Sequence, residues 1–252
     1  MKFKGKVAIV TGGAQGIGGA YARLLAEEGA RVIIADVNVE RGRALARDIT
    51  AAGGSVVATA TDVSSPEACR ACVDEAVRSF GGVDYLVNNA GLLSSYRLPP
   101  LHLVPVEDYL RLFSVNTHGV LFMTQAVVPS MLSRGGGAIV NTSSVASWMA
   151  DGAYAVSKLA VNGLTAALAR ALAPQGIRVN AVAPGPVDTD GLRDLGVSVE
   201  SLHEWAKANG KPTNSVAAPI DIAKLGVFLL SDEARFISGQ IVAADGATIV
   251  RQ

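Results

Sequence analysis

The sequence predicts an α/β fold, a doubly wound parallel sheet of about seven strands with helices on both faces. Three observations carry this. Short β-branched runs alternate with Ala/Leu-rich helical stretches, the pattern of a chain that crosses one sheet repeatedly in the same direction. The strand runs are nearly continuous in apolar character, as expected where helices cover both faces. The chain has 252 residues, 50% of them hydrophobic, with a mean hydropathy of +0.34, enough to bury a sizeable core.

Taken in order, Val7–Val10, Arg31–Ala35, Ser55–Ala60, Val83–Val87, Ala138–Asn141 and Ile177–Ala183 read as strands. Helical patterns fall at about 16–29, 38–52, 66–80, 107–133 and 152–173. A last helix near 219–231 and a last strand near 240–244 close the sheet. No linker, repeat or low-complexity segment divides the chain, so one dinucleotide-binding and catalytic domain is expected over 1–252. Two connections are long. Residues 91–106 carry Pro99, Pro100 and Pro105, and residues 184–218 are richer still in Gly, Pro and polar residues. Both follow strands, so both should border the crevice beyond the carboxyl ends of the sheet, where long loops act as lids.

Composition excludes several functions. There are 22 basic and 22 acidic residues with no long run of either sign, so neither nucleic acid nor an anionic membrane is an expected partner. Apolar runs such as Val7-Ala8-Ile9-Val10 are too short to span a bilayer. The N-terminal run lacks a signal peptide's long apolar core, and the cytoplasm is the expected address. Cys69 and Cys72 form a C-x-x-C, a redox spacing in some proteins. Here they sit in an amphipathic pattern and read as ordinary helix cysteines. His102, His118 and His203 are scattered without ligand spacing, and no metal is expected.

Between the first strand and the first helix, glycines fall at Gly12, Gly16 and Gly18. Such a turn lets backbone approach a pyrophosphate at the helix N-terminus, where free N–H groups and the dipole favour an anion. Asp36 ends the second strand, 18 residues after Gly18, where a carboxylate would accept from the ribose 2′-hydroxyl. It would repel a 2′-phosphate. No basic residue follows directly, and Gln15 puts no charge in the loop, so NAD is the expected cofactor. Asp36 as a plain cap for the next helix is the alternative.

Tyr154 and Lys158 stand four residues apart in a helical stretch and share one face. A cation beside a phenol lowers its pKa from the ordinary value of about 10. A tyrosine so tuned can serve as general acid or base.

With these residues in view, the whole chain resembles the short-chain dehydrogenase/reductase family, in its form with chains near 250 residues. Seven motifs in order carry the likeness. Thr11-Gly12 through Gly16-Ile17-Gly18 resembles the cofactor loop, and Asp62-Val63 the adenine-contacting pair. Asn88-Asn89-Ala90-Gly91 matches the signature after the fourth strand, and Asn116 the helix asparagine that holds a proton-relay water. Ser143-Ser144, Tyr154 and Lys158 look like the catalytic set, and Pro184-Gly185-Pro186-Val187-Asp188-Thr189 the nicotinamide-contacting segment. The resemblance implies a Rossmann-type fold. It also implies a proton carried by Tyr154, a phenol tuned by Lys158, a substrate oxygen bonded by Ser144 and direct hydride transfer between substrate carbon and nicotinamide.

One departure stands out. The family serine lies about thirteen residues before the tyrosine, where this chain has Asn141, whereas Ser144 is only ten before Tyr154. A shortened loop after the fifth strand reconciles the two, with Ser143 as the alternative. That loop would put Trp148, Met149 and Asp151 in a compact turn beside the site. Leu93, Trp148, Met149, Leu192 and Trp205, on segments bordering the pocket, suggest an apolar cavity for a small alicyclic or aromatic alcohol or ketone. Leu192 and Trp205 packing only a lid helix is the competing account. An NADPH-dependent 3-oxoacyl-thioester reductase and a dinucleotide-binding protein without turnover are the alternatives in function. The C-terminal segment 238–247 resembles the family's final strand and tail, and Leu121, Phe122, Leu164 and Leu168 spread apolar surface around two helices. A homotetramer is expected.

Overall fold

The structure, a computed structural model, describes residues 1–92, 99–149, 151–208 and 216–249, without the side chains of residues 205, 206 and 208. Seven strands form one sheet: β1 (Val7–Thr11), β2 (Arg31–Asp36), β3 (Ser55–Ala60), β4 (Tyr85–Asn88), β5 (Gly137–Thr142), β6 (Ile177–Pro184) and β7 (Ile241–Ala244). Their order is β3-β2-β1-β4-β5-β6-β7 and every pairing is parallel. The chain winds outward from β1 in one direction and then from β4 in the other. The crossover between β1 and β4 opens the crevice where ligands of open α/β sheets lie.

Helices cover both faces. α1 (Gly16–Glu27), α2 (Val39–Ala51) and α10 (Pro219–Leu230) pack on one, around Tyr21, Leu25, Leu45, Ile49, Ile222 and Leu230. α3 (Pro66–Phe80), α5 (Gly119–Ser133) and α7 (Gly152–Leu172) pack on the other, around Cys72, Met123, Val127 and Leu172. Strand registers such as Val10↔Ile34 alternate their side chains between these two cores, which explains the continuous apolar runs. Cys69 and Cys72 are buried and free, and burial raises their thiols to about 11 and about 12. Thiolates are scarce there at neutral pH, as expected of inert core cysteines.

Several boundaries depart from the sequence reading. Strand β4 begins at Tyr85 rather than Val83, because Val83 and Asp84 are spent at the floor of the sheet. Asp84 accepts from Val7 N at 2.8 Å and from Arg134 Nε and Nη2 at 3.0 and 2.8 Å. The single helix expected at 107–133 is α4 (Val106–Phe113), a π-turn at Ser114–His118 and α5. The π-turn is marked by Gly119 N donating to the Ser114 carbonyl, one residue beyond α-helical spacing. The connection after β5 contains a short helix, α6 (Ala146–Met149). The long segment after β6 holds α8 (Asp190–Asp194) and α9 (Val199–Ala208). Among the described residues no helix is long and apolar enough to cross a membrane, and no group of His, Cys, Asp and Glu could hold a metal ion.

Candidate active site

The carboxyl ends of β1, β4 and β5 carry the site. At β1, Gly12 and Gly16 have φ of +59° and +52°, a region that favours glycine. A Cβ on Gly12 would lie 2.8 Å from the Ala90 Cα, and one on Gly18 would collide with the Gly12 carbonyl. The loop is therefore folded tightly on itself and on the end of β4. No side chain caps α1 at Gln15, so the first-turn N–H groups are left for an outside acceptor. This open helix start over a glycine turn has the shape and polarity that a pyrophosphate requires.

Neighbouring groups hold that turn in place. Thr11 Oγ1 donates to the Val87 carbonyl and accepts from Asn89 N at 2.9 Å and Ala90 N at 3.1 Å. Asn89 Nδ2 donates to the Thr11 and Gly12 carbonyls at 3.2 and 3.1 Å. Asp36 accepts from Ala14 N at 3.0 Å through one oxygen and from Asn38 N at 2.9 Å through the other. Asn38, in turn, caps α2 by accepting from Arg41 N. Asp36 thus ties the glycine loop to the start of α2, while its carboxylate retains lone pairs for further donors. Thr11 is part of the glycine motif, but its clamp on the end of β4 and the tie through Ala14 were not foreseen, since both run through backbone groups that leave no residue signal.

The other cofactor-loop residues fall around this cradle. Asp62 is exposed and accepts from both the backbone and the hydroxyl of Ser64 at 2.9 and 2.7 Å. Val63 is buried, and Gly119 of α5 leaves it room. Ile17, in the first turn of α1, packs partly buried against the core. Gly185 passes so close to Asp245 that a Cβ there would sit 2.9 Å from its Cα. Val187 is buried and bridges to Ala217, and Thr189 caps α8 by accepting from Leu192 N at 3.3 Å.

Lys158 is 4% exposed, and its Nζ donates to the Thr142 carbonyl at the end of β5 at 2.8 Å. The ammonium lies 5.8 Å from the centre of the Tyr154 ring. Burial lowers its pKa from the ordinary 10.5 to about 8. At pH 7 the group is still mostly charged, so Tyr154 has a cation beside it in a poorly solvated place. Asn116, in the middle of the π-turn, is fully buried. Its Oδ1 accepts from Leu92 N at 2.7 Å, and its Nδ2 donates to Ser157 Oγ at 3.3 Å and to the Leu92 carbonyl at 3.4 Å. It pins the segment after β4 beside Gly91, where a Cβ would come 3.6 Å from Lys158 Nζ.

The two serines after β5 differ in what they touch. Ser143 Oγ donates to Asn162 Oδ1 at 2.6 Å, and Asn162 Nδ2 donates to Ser147 Oγ at 2.9 Å. That buried network fastens the end of β5 and α6 to α7. Ser144 Oγ accepts from Ala146 N at 3.2 Å, which leaves its own proton for another acceptor. Asn141 lies fully inside β5, donating to Thr165 Oγ1 and accepting from Asn88 Nδ2, both at 2.9 Å. Of the residues expected at the substrate, Trp148 and Leu192 are half-buried and Met149 is 55% exposed. Leu93 and the side chain of Trp205 lie outside the described residues. A cleft of about 560 Å³, bordered by Ala14, Gln15 and Gly16 of the glycine loop and by Arg41, Asp48 and Asp190, runs between α1 and α2. It includes none of Ser144, Tyr154 and Lys158.

Known proteins share this arrangement of chain. A family model described as enoyl-(acyl carrier protein) reductase matches residues 12–247. An uncharacterized oxidoreductase of Mycobacterium tuberculosis is 47% identical over 249 residues, 99% of each chain. The cyclohexanol dehydrogenase of Acinetobacter sp. (strain SE19) is 35% identical over 98% of this chain and 96% of its own. A 7α-hydroxysteroid dehydrogenase solved with NADH and 7-oxo glycochenodeoxycholic acid superposes with a TM-score of 0.89, at 33% identity over 98% and 95% of the two chains. This chain is an oxidoreductase of the Rossmann-type class. It belongs to the short-chain dehydrogenase/reductase family, whose members use NAD(H) or NADP(H).

Proposed function

We propose that the protein interconverts a secondary alcohol and a ketone with NAD(H), Tyr154 acting as general acid and base. The observation that carries the reading is the buried Lys158 ammonium, held by the Thr142 carbonyl beside the Tyr154 ring at the end of the sheet. The glycine turn and the uncapped start of α1 would hold the pyrophosphate, and Asp36 the adenosine ribose. When bound, the nicotinamide takes up or delivers the hydride. The protein's own work is with the proton. Tyr154 Oη removes it from the alcohol, or returns it to the ketone. Lys158 Nζ stabilises the phenolate between those steps. Ser144 Oγ donates to the substrate oxygen and orients the reacting carbon. Asn116 keeps Leu92 and Gly91 against the lysine, and the family resemblance further assigns it a relay water.

The preference for NAD over NADP is supported by Asp36 at the end of β2, whose carboxylate would repel a 2′-phosphate. The small alicyclic or aromatic substrate class is supported by Trp148 and Leu192 and by the cyclohexanol dehydrogenase likeness. We also infer a cytoplasmic homotetramer. The decisive experiment measures kcat/KM with NAD⁺ and NADP⁺ across cyclic, aromatic and diol secondary alcohols, and with NADPH against an acetoacetyl thioester. Turnover of one or more alcohols with NAD⁺ preferred is the expected result. A dominant NADPH-driven thioester reduction would replace this reading with the acyl-reductase one, and binding without turnover would replace it with a non-catalytic one.

A further inference from the structure

Arg41 stands in the first turn of α2 and Asp190 opens α8, 149 residues later. Their side chains pair, Nη2 to Oδ2, at 2.7 Å. The other oxygen of Asp190 accepts from Arg193 at 2.7 Å, and Arg193 also pairs with Asp188. α8 spans five residues, none of them buried. So short a helix has little stability of its own, and its place depends on what it is fastened to. There are two fastenings to the glycine loop. Thr189, its cap, lies against Gly16, where a Cβ would sit 3.6 Å from the threonine Cβ and Cγ2. Arg41 supplies the other, through a chain of contacts that returns to the same loop. Arg41 N donates to Asn38 Oδ1, Asn38 N to Asp36 Oδ1, and Ala14 N to Asp36 Oδ2. The circuit Ala14–Asp36–Asn38–Arg41–Asp190–Thr189–Gly16 therefore closes around the seat assigned to the dinucleotide.

We propose that Arg41 is a positioning residue that straps α8 to this seat, so that occupation of the Asp36 carboxylate and closure of α8 over the glycine loop are coupled. The inference rests on the dinucleotide reading above. A ribose hydroxyl donating to Asp36 would join a carboxylate that already orients Ala14 and the start of α2, from which Arg41 reaches Asp190. Coupling of this kind is reciprocal: whatever steadies α8 also tightens the cofactor. Arg41 and Asp190 are 43% and 35% exposed, so the strap is of the strength of a surface ion pair and not of a buried one.

The test uses NADH as probe, with hydrogen–deuterium exchange of residues 190–196 and fluorescence titration of binding. Wild type is compared with Arg41→Ala, Arg41→Lys, Asp190→Asn and the Arg41→Ala/Asp190→Asn pair. NADH should slow exchange at α8 in wild type, and this slowing should be lost in Arg41→Ala and Asp190→Asn. Arg41→Lys should restore part of it. The Kd for NADH should rise about two- to five-fold in each single variant, and the double should bind no more weakly than Asp190→Asn alone, because that change already removes the carboxylate with which Arg41 pairs. Added salt should shrink the difference between wild type and Arg41→Ala. Full NADH-dependent slowing in Arg41→Ala, or singles whose effects multiply in the double, would overturn the strap while leaving the cofactor reading intact. A wild type that binds no NADH would overturn that reading, and the strap with it.

Discussion

Replacing the Tyr154 hydroxyl with hydrogen removes one ionisable oxygen and leaves the helix that carries it. Tyr154→Phe should lower kcat by roughly 10²- to 10⁴-fold, the usual contribution of a positioned acid–base group, while NADH still binds. A variant that keeps more than a few tenths of wild-type kcat would end the assignment. The adjacent serines should separate by kind of damage. Ser144→Ala should cost activity with little change in thermal stability. Ser143→Ala breaks the bond to Asn162 and should cost about 1 kcal/mol of stability, read by urea unfolding. If Ser143→Ala is the more damaging to kcat, the roles are exchanged. Lys158 shows the sign of its burial through pH. Its folded pKa of about 8 lies below the unfolded 10.5, so the penalty for a buried cation is fully present below pH 8. Between these values the unfolded chain binds more protons, and this group makes stability rise with pH. Lys158→Met lacks that term. Its stability relative to wild type should therefore fall by roughly 3 kcal/mol in all as pH climbs from 7 through 10.5. Unfolding midpoints of the two proteins that move in parallel would show that the lysine is not desolvated.

Among the elements, the packing of α1 on α10 buries a polar atom that has no hydrogen-bond partner. Among the described residues, the Tyr21 hydroxyl is the buried side-chain atom without a partner, and burial raises its pKa. It lies against Gly226, where a Cβ would collide with it. The glycine in α10 is thus explained by the phenol in α1. Tyr21→Phe removes a desolvated group that has no bond to lose, and should stabilise the protein by about 1 kcal/mol or more. A loss of stability in calorimetry would mean that a partner, such as a buried water, satisfies the hydroxyl. Gly226→Ala should be the costly change of the pair, by ~1–3 kcal/mol, the usual scale of overpacking.

For the whole molecule, the question is what covers its remaining apolar surface. Phe122 and Leu168, expected to face outward, pack partly on the protein's own core. Exposed apolar residues include Leu159 on α7, Phe228 on α10 and Phe236 before β7 at 101%, and also Val106 and Leu110 on α4 at 69% and 59%. Leu159 and Phe236 lie on α7 and before the final strand, where the expected homotetramer would have interfaces. Sedimentation velocity at micromolar concentration should show a species near four times the 25.9 kDa chain mass. A single species at the chain mass would refute the assembly, and one at twice that mass would leave a single interface.

The sequence by itself determined the sheet and most of its cradle. Apolar periodicity places strands and helices because burial on two faces leaves no room for polar residues there. Glycines at 12, 16 and 18 could be read because the turn leaves no room for a Cβ at the first and last and holds Gly16 at a positive φ. The Tyr154–Lys158 pair could be read because four residues make one turn of helix. The tertiary structure alone decided what depends on contacts between distant segments. The Thr142 carbonyl that holds Lys158 is backbone, and backbone carries no residue signal. Asn141 stands at the family spacing from Tyr154, yet β5 turns it inward to Asn88 and Thr165, which counting along the chain could not reveal. Ser143 and Ser144 are the same residue type side by side, and only the packing of Asn162 against the first distinguishes them. Asp36 is legible as an acid at a strand end. That it also ties Ala14 to α2, and through Arg41 reaches Asp190, follows from a parallel sheet whose strands β1, β2 and β6 all end on the same side.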